Sequence, residues 1–209
     1  MTQHDELRFW LSQCPLVAIL RGVRPDEVEA IGEAVHGAGI RMIEVPLNSP
    51  EPLESIRRLA GRFGQDALVG AGTVLTPAAV ADVQEAGGRL IVSPSTKPAV
   101  ISATAEAGMI SLPGYFTPSE AFTALEAGAH GLKLFPAEGA APAVLKAQRA
   151  VLPKEVPVLV VGGVSPDNMA SWTAAGADGF GLGSGLYKPG QSAEETAEKA
   201  RAYVAATGS

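Results

Sequence analysis

The chain has 209 residues, of which 46% are hydrophobic, 18% charged and 5% aromatic, enough for one globular domain with a sizeable core. Its 16 Lys and Arg against 22 Asp and Glu leave a net charge of −6, and without a basic block it lacks the cationic stripe that nucleic-acid phosphates or anionic lipid would require. The opening segment MTQHDELRFWLSQC is charged, without the apolar stretch of a secretory leader, and nowhere do the roughly 18 apolar residues of a membrane span run together. A soluble, cytoplasmic protein with neither nucleic-acid nor membrane partners is therefore expected.

In chain order, the first element is a short helix before Leu16, with Leu7, Trp10 and Leu11 on one face, lying over the N-terminal end of the sheet that follows. The single cysteine, Cys14, can form no internal disulfide and reads as a small buried apolar residue. Short β-branched runs then recur at 16–20, 41–47, 67–73, 89–95, 110–116, 131–137, 156–163 and 179–187, giving eight strand candidates. Helical patterns separate them. Val28, Ile31 and Val35 share one face, as do Ala121, Leu125 and Gly128. The pairs Ala38-Gly39, Ala86-Gly87, Ala107-Gly108, Ala127-Gly128 and Ala175-Gly176 each close such a stretch, as expected of a glycine just past a helix C-terminus. Nearly all-apolar runs such as VPVLVVGG and RLIVSP suit parallel strands covered on both faces. An open doubly wound sheet fits that pattern too. The regular spacing, without a dominant first nucleotide-binding turn, favours a closed single-domain (β/α)8 TIM barrel over residues 1–209.

Chemistry in such a barrel sits at the C-terminal strand ends, and these are unusually polar here. Lys133 stands between Leu132 and Leu134 on the sixth candidate. Alternation sends the leucines outward and the amine inward, where desolvation lowers its pKa and makes it a nucleophile near neutral pH. Glu44, between Ile43 and Val45 on the second candidate, faces inward likewise, and strands two and six oppose each other across an eight-stranded barrel. An amine beside a carboxylate is the minimum equipment for Schiff-base chemistry; a purely structural buried pair is the alternative, at best weakly stabilising. The last two candidates end in Gly162-Gly163 and in Gly181-Leu182-Gly183-Ser184, the loops where barrels commonly bind phosphate. Ser165 as N-cap and Pro166 in the first turn mark a helix start just beyond the first pair.

The runs ILRG (19–22), IEVPLNSP (43–50), GAGTVL (70–75), IVSP (91–94), LKLFP (132–136) and VGGV (161–164) together resemble the 2-keto-3-deoxy-6-phosphogluconate / 6-phosphogalactonate aldolase family over essentially the whole chain. The resemblance implies a (β/α)8 class I aldolase that uses neither metal nor cofactor, assembles as a homotrimer, and splits a phosphorylated 2-keto-3-deoxy sugar acid into pyruvate and D-glyceraldehyde 3-phosphate. By that resemblance Lys133 is the Schiff-base lysine and Glu44 the general acid/base. Arg21 and Thr73 hold the substrate carboxylate, while Pro94, Pro113 and Phe135 shape the pyruvyl pocket. Gly162, Gly163, Gly183 and Ser184 bind the phosphate. Asn48 stands where phosphogluconate members carry arginine, and Val161 where they carry a hydroxyl. Both departures resemble the phosphogalactonate branch; because a pocket difference of this size is worth only a few kcal/mol, a phosphogluconate aldolase or an enzyme acting on both C4 epimers stands as the alternative.

Two other classes share parts of this pattern. A sugar-phosphate isomerase or synthase barrel would keep the glycine loops without needing a lone lysine between leucines. A non-catalytic phosphosugar-binding protein would keep the loops and lose the Lys133 and Glu44 pair. His4, His36 and His130 do not gather at strand ends and read as solvated surface.

Overall fold

The computed structural model describes residues 2–208. Among them, parallel strands alternate with helices. The strands are β1 (Leu16–Ile19), β2 (Met42–Pro46), β3 (Leu68–Gly72), β4 (Leu90–Val92), β5 (Ile110–Leu112), β6 (Gly114–Tyr115), β7 (Leu132–Leu134), β8 (Val158–Val161) and β9 (Gly179–Leu182). The helices are α1 (Gln3–Gln13), α2 (Val28–Gly37), α3 (Pro52–Phe63), α4 (Pro77–Glu85), α5 (Pro98–Glu106), α6 (Pro118–Glu126), α7 (Pro142–Arg149), α8 (Pro166–Ala174) and α9 (Ala193–Ala206).

The local chemistry explains the punctuation. Six helices, α3 to α8, begin on a proline, whose fixed φ suits the first turn and whose missing N–H would have had no helical partner. Thr76 and Thr117 cap α4 and α6, accepting from the N–H groups of Ala79 and Glu120. The five Ala-Gly pairs do end helices: Gly39, Gly87, Gly108, Gly128 and Gly176 all take positive φ, between 70° and 113°.

The strand order is β5-β4-β3-β2-β1-β9-β8-β7-β6. The expected fifth strand, 110–116, is thus two short ones, parted by Pro113, which has no N–H to give to a ladder. The first piece pairs with β4 and the second with β7, so this one segment spans the gap and brings the ring nearly to closure. Observed strands are also shorter than expected at their C-terminal ends, where Pro94, Pro136 and the glycines after β8 and β9 leave the ladder. Counting β5 and β6 as one position, β2 and β7 face each other across the barrel.

Two cores result. Outward strand residues such as Ile43, Val45, Leu132 and Leu134 pack with Val28, Ile31 and Val35 of α2 and their counterparts on other helices. Inside the barrel, Val17, Met42, Leu68, Leu90, Ile110 and Leu159 form an apolar floor, closed from below by Leu7 and Trp10 of α1. Arg89 ties that helix down: it pairs with Glu6 at 2.8 Å and donates to the Ala67 carbonyl at 2.9 Å.

His130 departs from the expectation of a solvated surface residue. It is only 6% exposed, its Nδ1 accepts from the Ser111 N–H at 3.0 Å, and its ring lies edge-on to exposed His4 at 4.8 Å. Burial, then the nearby His4, pull its pKa down to about 4. Cys14 is buried and free, as expected.

If α1 is the floor's closing plate, Leu7→Ala should cost about 2–5 kcal/mol by chemical denaturation. A loss no larger than that of an exposed substitution would show that α1 merely rests against the barrel.

Candidate active site

The C-terminal strand ends open onto a cavity of about 840 Å3 directly above the apolar floor. Lys133 reaches it from the centre of β7 because Leu132 and Leu134 on either side turn outward into the helix-packed core. The amine is 7% exposed. Burial pushes its pKa down, with Glu44 opposing and Arg21 adding to the fall. The Phe135 ring lies 4.6 Å from Nζ, a cation–π contact for the charged form.

Glu44 enters from β2 on the opposite wall, 2% exposed. Burial raises its pKa to about 7 against the downward pull of Lys133 and Arg21. Among the described residues, its Oε2 has no hydrogen-bond partner. The space that it occupies is left by Gly72 of β3, where any side chain would collide with the carboxylate. An amine and a carboxylate thus share one low-dielectric chamber without a direct ion pair, each displaced toward its neutral form, and their protons are coupled.

Arg21, just after β1, lies beside them. It donates from Nη1 to Asn48 Oδ1 and from Nη2 to Thr73 Oγ1 at 3.4 Å. Thr73 sits at φ 57°, a left-handed conformation that a β-branched residue rarely takes and that costs of order 1–3 kcal/mol. This backbone turn aims its hydroxyl at Arg21 instead of outward.

Pro94, Phe135 and Val161 line the same cavity, as do Gly162, Gly163, Gly183 and Ser184. Gly162 and Gly163 take φ 110° and 64°, conformations open to glycine. The start of α8 is held close by Asn168, which accepts from the Ser165 N–H at 3.0 Å and donates to the Gly163 carbonyl at 2.8 Å.

Two expected residues are not on the wall. Asn48 is exposed, and its Oδ1 accepts from Arg21. Pro113 is buried outside the cavity, where its carbonyl accepts the Lys133 N–H at 2.9 Å. That bond ties it to the strand that carries the lysine.

Other wall residues went unread in the sequence. Glu138, on the 3-10 turn Ala137–Gly139 after β7, packs against Gly162 and Gly163. Tyr187, Lys188 and Pro189 follow β9, and Tyr203 of α9 donates to the Val164 carbonyl at 2.9 Å. The last strand, expected over 179–187, ends at Leu182, and the chain turns at 184–186, ahead of the Lys-Pro-Gly sequence at 188–190. Nothing in the sequence singled out Glu138. Among the described residues, no three His, Cys, Asp or Glu side chains are grouped to hold a metal ion, and no helix is long and apolar enough to cross a membrane.

Comparison with known proteins gives a consistent result. Residues 8–200 match the family model for KDPG and KHG aldolase. The chain is 49% identical to 2-dehydro-3-deoxy-6-phosphogalactonate aldolase of Escherichia coli (strain K12), covering 94% of this chain and 96% of that one. It is 50% identical to a probable 2-dehydro-3-deoxy-6-phosphogalactonate aldolase of Rhizobium meliloti (strain 1021), covering 92% and 91%. Among solved structures, native KDPGal superposes with a TM-score of 0.92 at 49% identity, covering 93% of this chain and 95% of that one.

The burial of Glu44 makes a prediction about stability. An acid whose pKa rises from 4.5 when unfolded to about 7 when folded holds its proton more tightly in the native state. Stability is then full below pH 4.5 and falls as pH rises toward 7. Glu44→Gln removes that penalty, so its stability relative to the parent should grow across this window, by on the order of 3 kcal/mol. Parallel pH–stability curves for the two proteins would contradict a desolvated Glu44.

Proposed function

Because the chain belongs to the KDPG and KHG aldolase family, we propose that it is a cytoplasmic class I aldolase, one domain over residues 1–209. It cleaves 2-dehydro-3-deoxy-6-phosphogalactonate to pyruvate and D-glyceraldehyde 3-phosphate. The observation that carries this reading is the buried Lys133 amine facing the buried Glu44 carboxylate in one cavity. The substrate follows from the relatives, whose names give 2-dehydro-3-deoxy-6-phosphogalactonate, and from Val161 on the wall, a methyl-bearing residue beside the expected position of C4.

The reaction needs no group beyond this pair. Neutral Lys133 attacks the C2 carbonyl, and the carbinolamine loses its hydroxyl as water, with Glu44 moving the protons, to leave an iminium. Glu44, through a water, takes the C4 hydroxyl proton; the C3–C4 electron pair moves to C3, the iminium becomes an enamine, and the aldehyde leaves. Protonation at C3 and hydrolysis then release pyruvate and restore the amine. A carboxyl group with a pKa of about 7 is suited to both giving and taking a proton at neutral pH.

Arg21 and Thr73 would grip the substrate carboxylate, with Asn48 steadying Arg21. Pro94 and Phe135 would wall the pyruvyl group, and Gly162, Gly163, Gly183 and Ser184 would receive the phosphate. Assembly as a homotrimer completes the proposal. Leu75, Phe116, Phe122 and Val144 leave large apolar side chains exposed, surface that a neighbouring copy would cover.

Borohydride with pyruvate should inactivate the protein irreversibly and leave a reduced adduct on Lys133. An adduct on Lys97 or Lys146, or none, would sink the assignment. A coupled assay of pyruvate release should favour the galactonate epimer over the gluconate one, and the reverse order would refute the substrate. Light scattering should return a mass about three times 21.4 kDa, which a monomer at assay concentration would exclude.

A further inference from the structure

The cations on the cavity wall are not equivalent. Arg21 is bonded to Asn48 and Thr73, and Lys133 is buried opposite Glu44. Lys188 also lines the cavity, is exposed, and among the described residues its amine makes no ion pair or side-chain hydrogen bond.

Its backbone is nonetheless fixed. On one side, the buried Tyr187 donates its hydroxyl to Glu27 Oε1 at 2.9 Å. On the other, Pro189 packs against Gly22 so closely that a Cβ there would lie 2.6 Å from its Cγ. The Leu186 and Tyr187 N–H groups donate to the Gly183 carbonyl at 2.9 and 3.1 Å, and the Gln191 N–H to the Lys188 carbonyl at 3.0 Å. A long cationic side chain therefore rises from a clamped turn, only a few residues beyond Gly183 and Ser184.

The glycine loops at this end of the cavity carry no cation of their own. Instead they pack against a carboxylate: Glu138 Cγ lies 2.7 Å from where a Cβ of Gly163 would be. A dianion seated on those loops would meet an acidic neighbour, with only neutral donors, the backbone N–H groups and the Ser184 hydroxyl, to balance it. The free cation on the same wall is Lys188.

We propose that Lys188 is the side-chain cation that binds the phosphate of the substrate and sets the preference for phosphorylated over unphosphorylated keto acids. This rests on the aldolase reading above. The alternative ligand for Lys188 is the substrate carboxylate, which pyruvate carries without a phosphate.

The test uses the full chain and Lys188→Met, with 2-dehydro-3-deoxy-6-phosphogalactonate and its unphosphorylated counterpart as substrates. Loss of a charge-assisted hydrogen bond should lower the ratio of the two kcat/KM values about 10- to 100-fold, mainly through KM for the phosphorylated compound. Lys188→Arg should restore most of the ratio. Borohydride trapping with pyruvate reports the carboxylate end alone. An unchanged ratio overturns the assignment, and so does an equal loss on both substrates accompanied by slower pyruvate trapping, which would place Lys188 at the carboxylate. A parent protein that cleaves neither compound would overturn the aldolase reading itself, and this one with it.

Discussion

The rest of the site depends on keeping one amine and one carboxylate out of water in the same chamber without letting them collapse into a tight ion pair. A direct bridge would hold Lys133 protonated and Glu44 ionised, the combination least able to attack a carbonyl or carry a proton onward. Here desolvation outweighs mutual attraction for both groups. A buried carboxylate oxygen needs a donor, and among the described residues none reaches Glu44 Oε2. A bound substrate hydroxyl or water is the natural donor for it.

That arrangement has been made by moving side-chain volume along the barrel axis. The lower interior is filled by branched and unbranched aliphatic residues and sealed by Leu7 and Trp10, which keeps water from reaching the pair from below. One layer up, β3 contributes Gly70 and Gly72, and β9 contributes Gly181. A Cβ at Gly70 would strike the Leu90 carbonyl, one at Gly72 the Glu44 carboxylate, and one at Gly181 the Val161 side chain. Above a floor of large residues, these glycines let neighbouring strands and the Glu44 carboxylate close in where a side chain would stand.

Much of this was legible in the sequence because it rests on periodicity. Alternation alone puts Lys133 and Glu44 inside, since a strand of period two leaves no other face for a residue flanked by apolar neighbours. The Ala-Gly closures and the count of strand runs gave the alternating architecture for the same reason. What stayed hidden depends on contacts between distant segments or on single backbone angles. The burial of His130 comes from Ser111 and α1, neither adjacent in sequence. The left-handed turn at Thr73 has no signature, because threonine is an improbable residue for it. Pro113 sits inside what reads as one strand, 110–116, and its missing N–H divides that strand in two. The end of β9 at Leu182 is masked because Leu186 and Tyr187 prolong the apolar strand pattern.

Net charge gives a last constraint on how the cavity is arranged. The chain carries −6, so its overall field opposes an anionic ligand, yet at physiological ionic strength that field is screened beyond about 8 Å. Capture then falls to groups at the mouth and inside it, where screening is weakest and each charge has a different burden. Lys133 must lose its charge to act as a nucleophile, so it cannot also serve as a permanent counterion. Arg21 brings a guanidinium to the site, but its reach is fixed toward β2 and β3 by Asn48 and Thr73. Adding a cation deep in the chamber would depress the Lys133 amine further and ionise Glu44, as Arg21 already does in part. A cation for the far end of a long anionic ligand is therefore best placed at the rim, hydrated and distant from the pair. The clamped turn that carries Lys188 puts an exposed cation on the wall of that cavity.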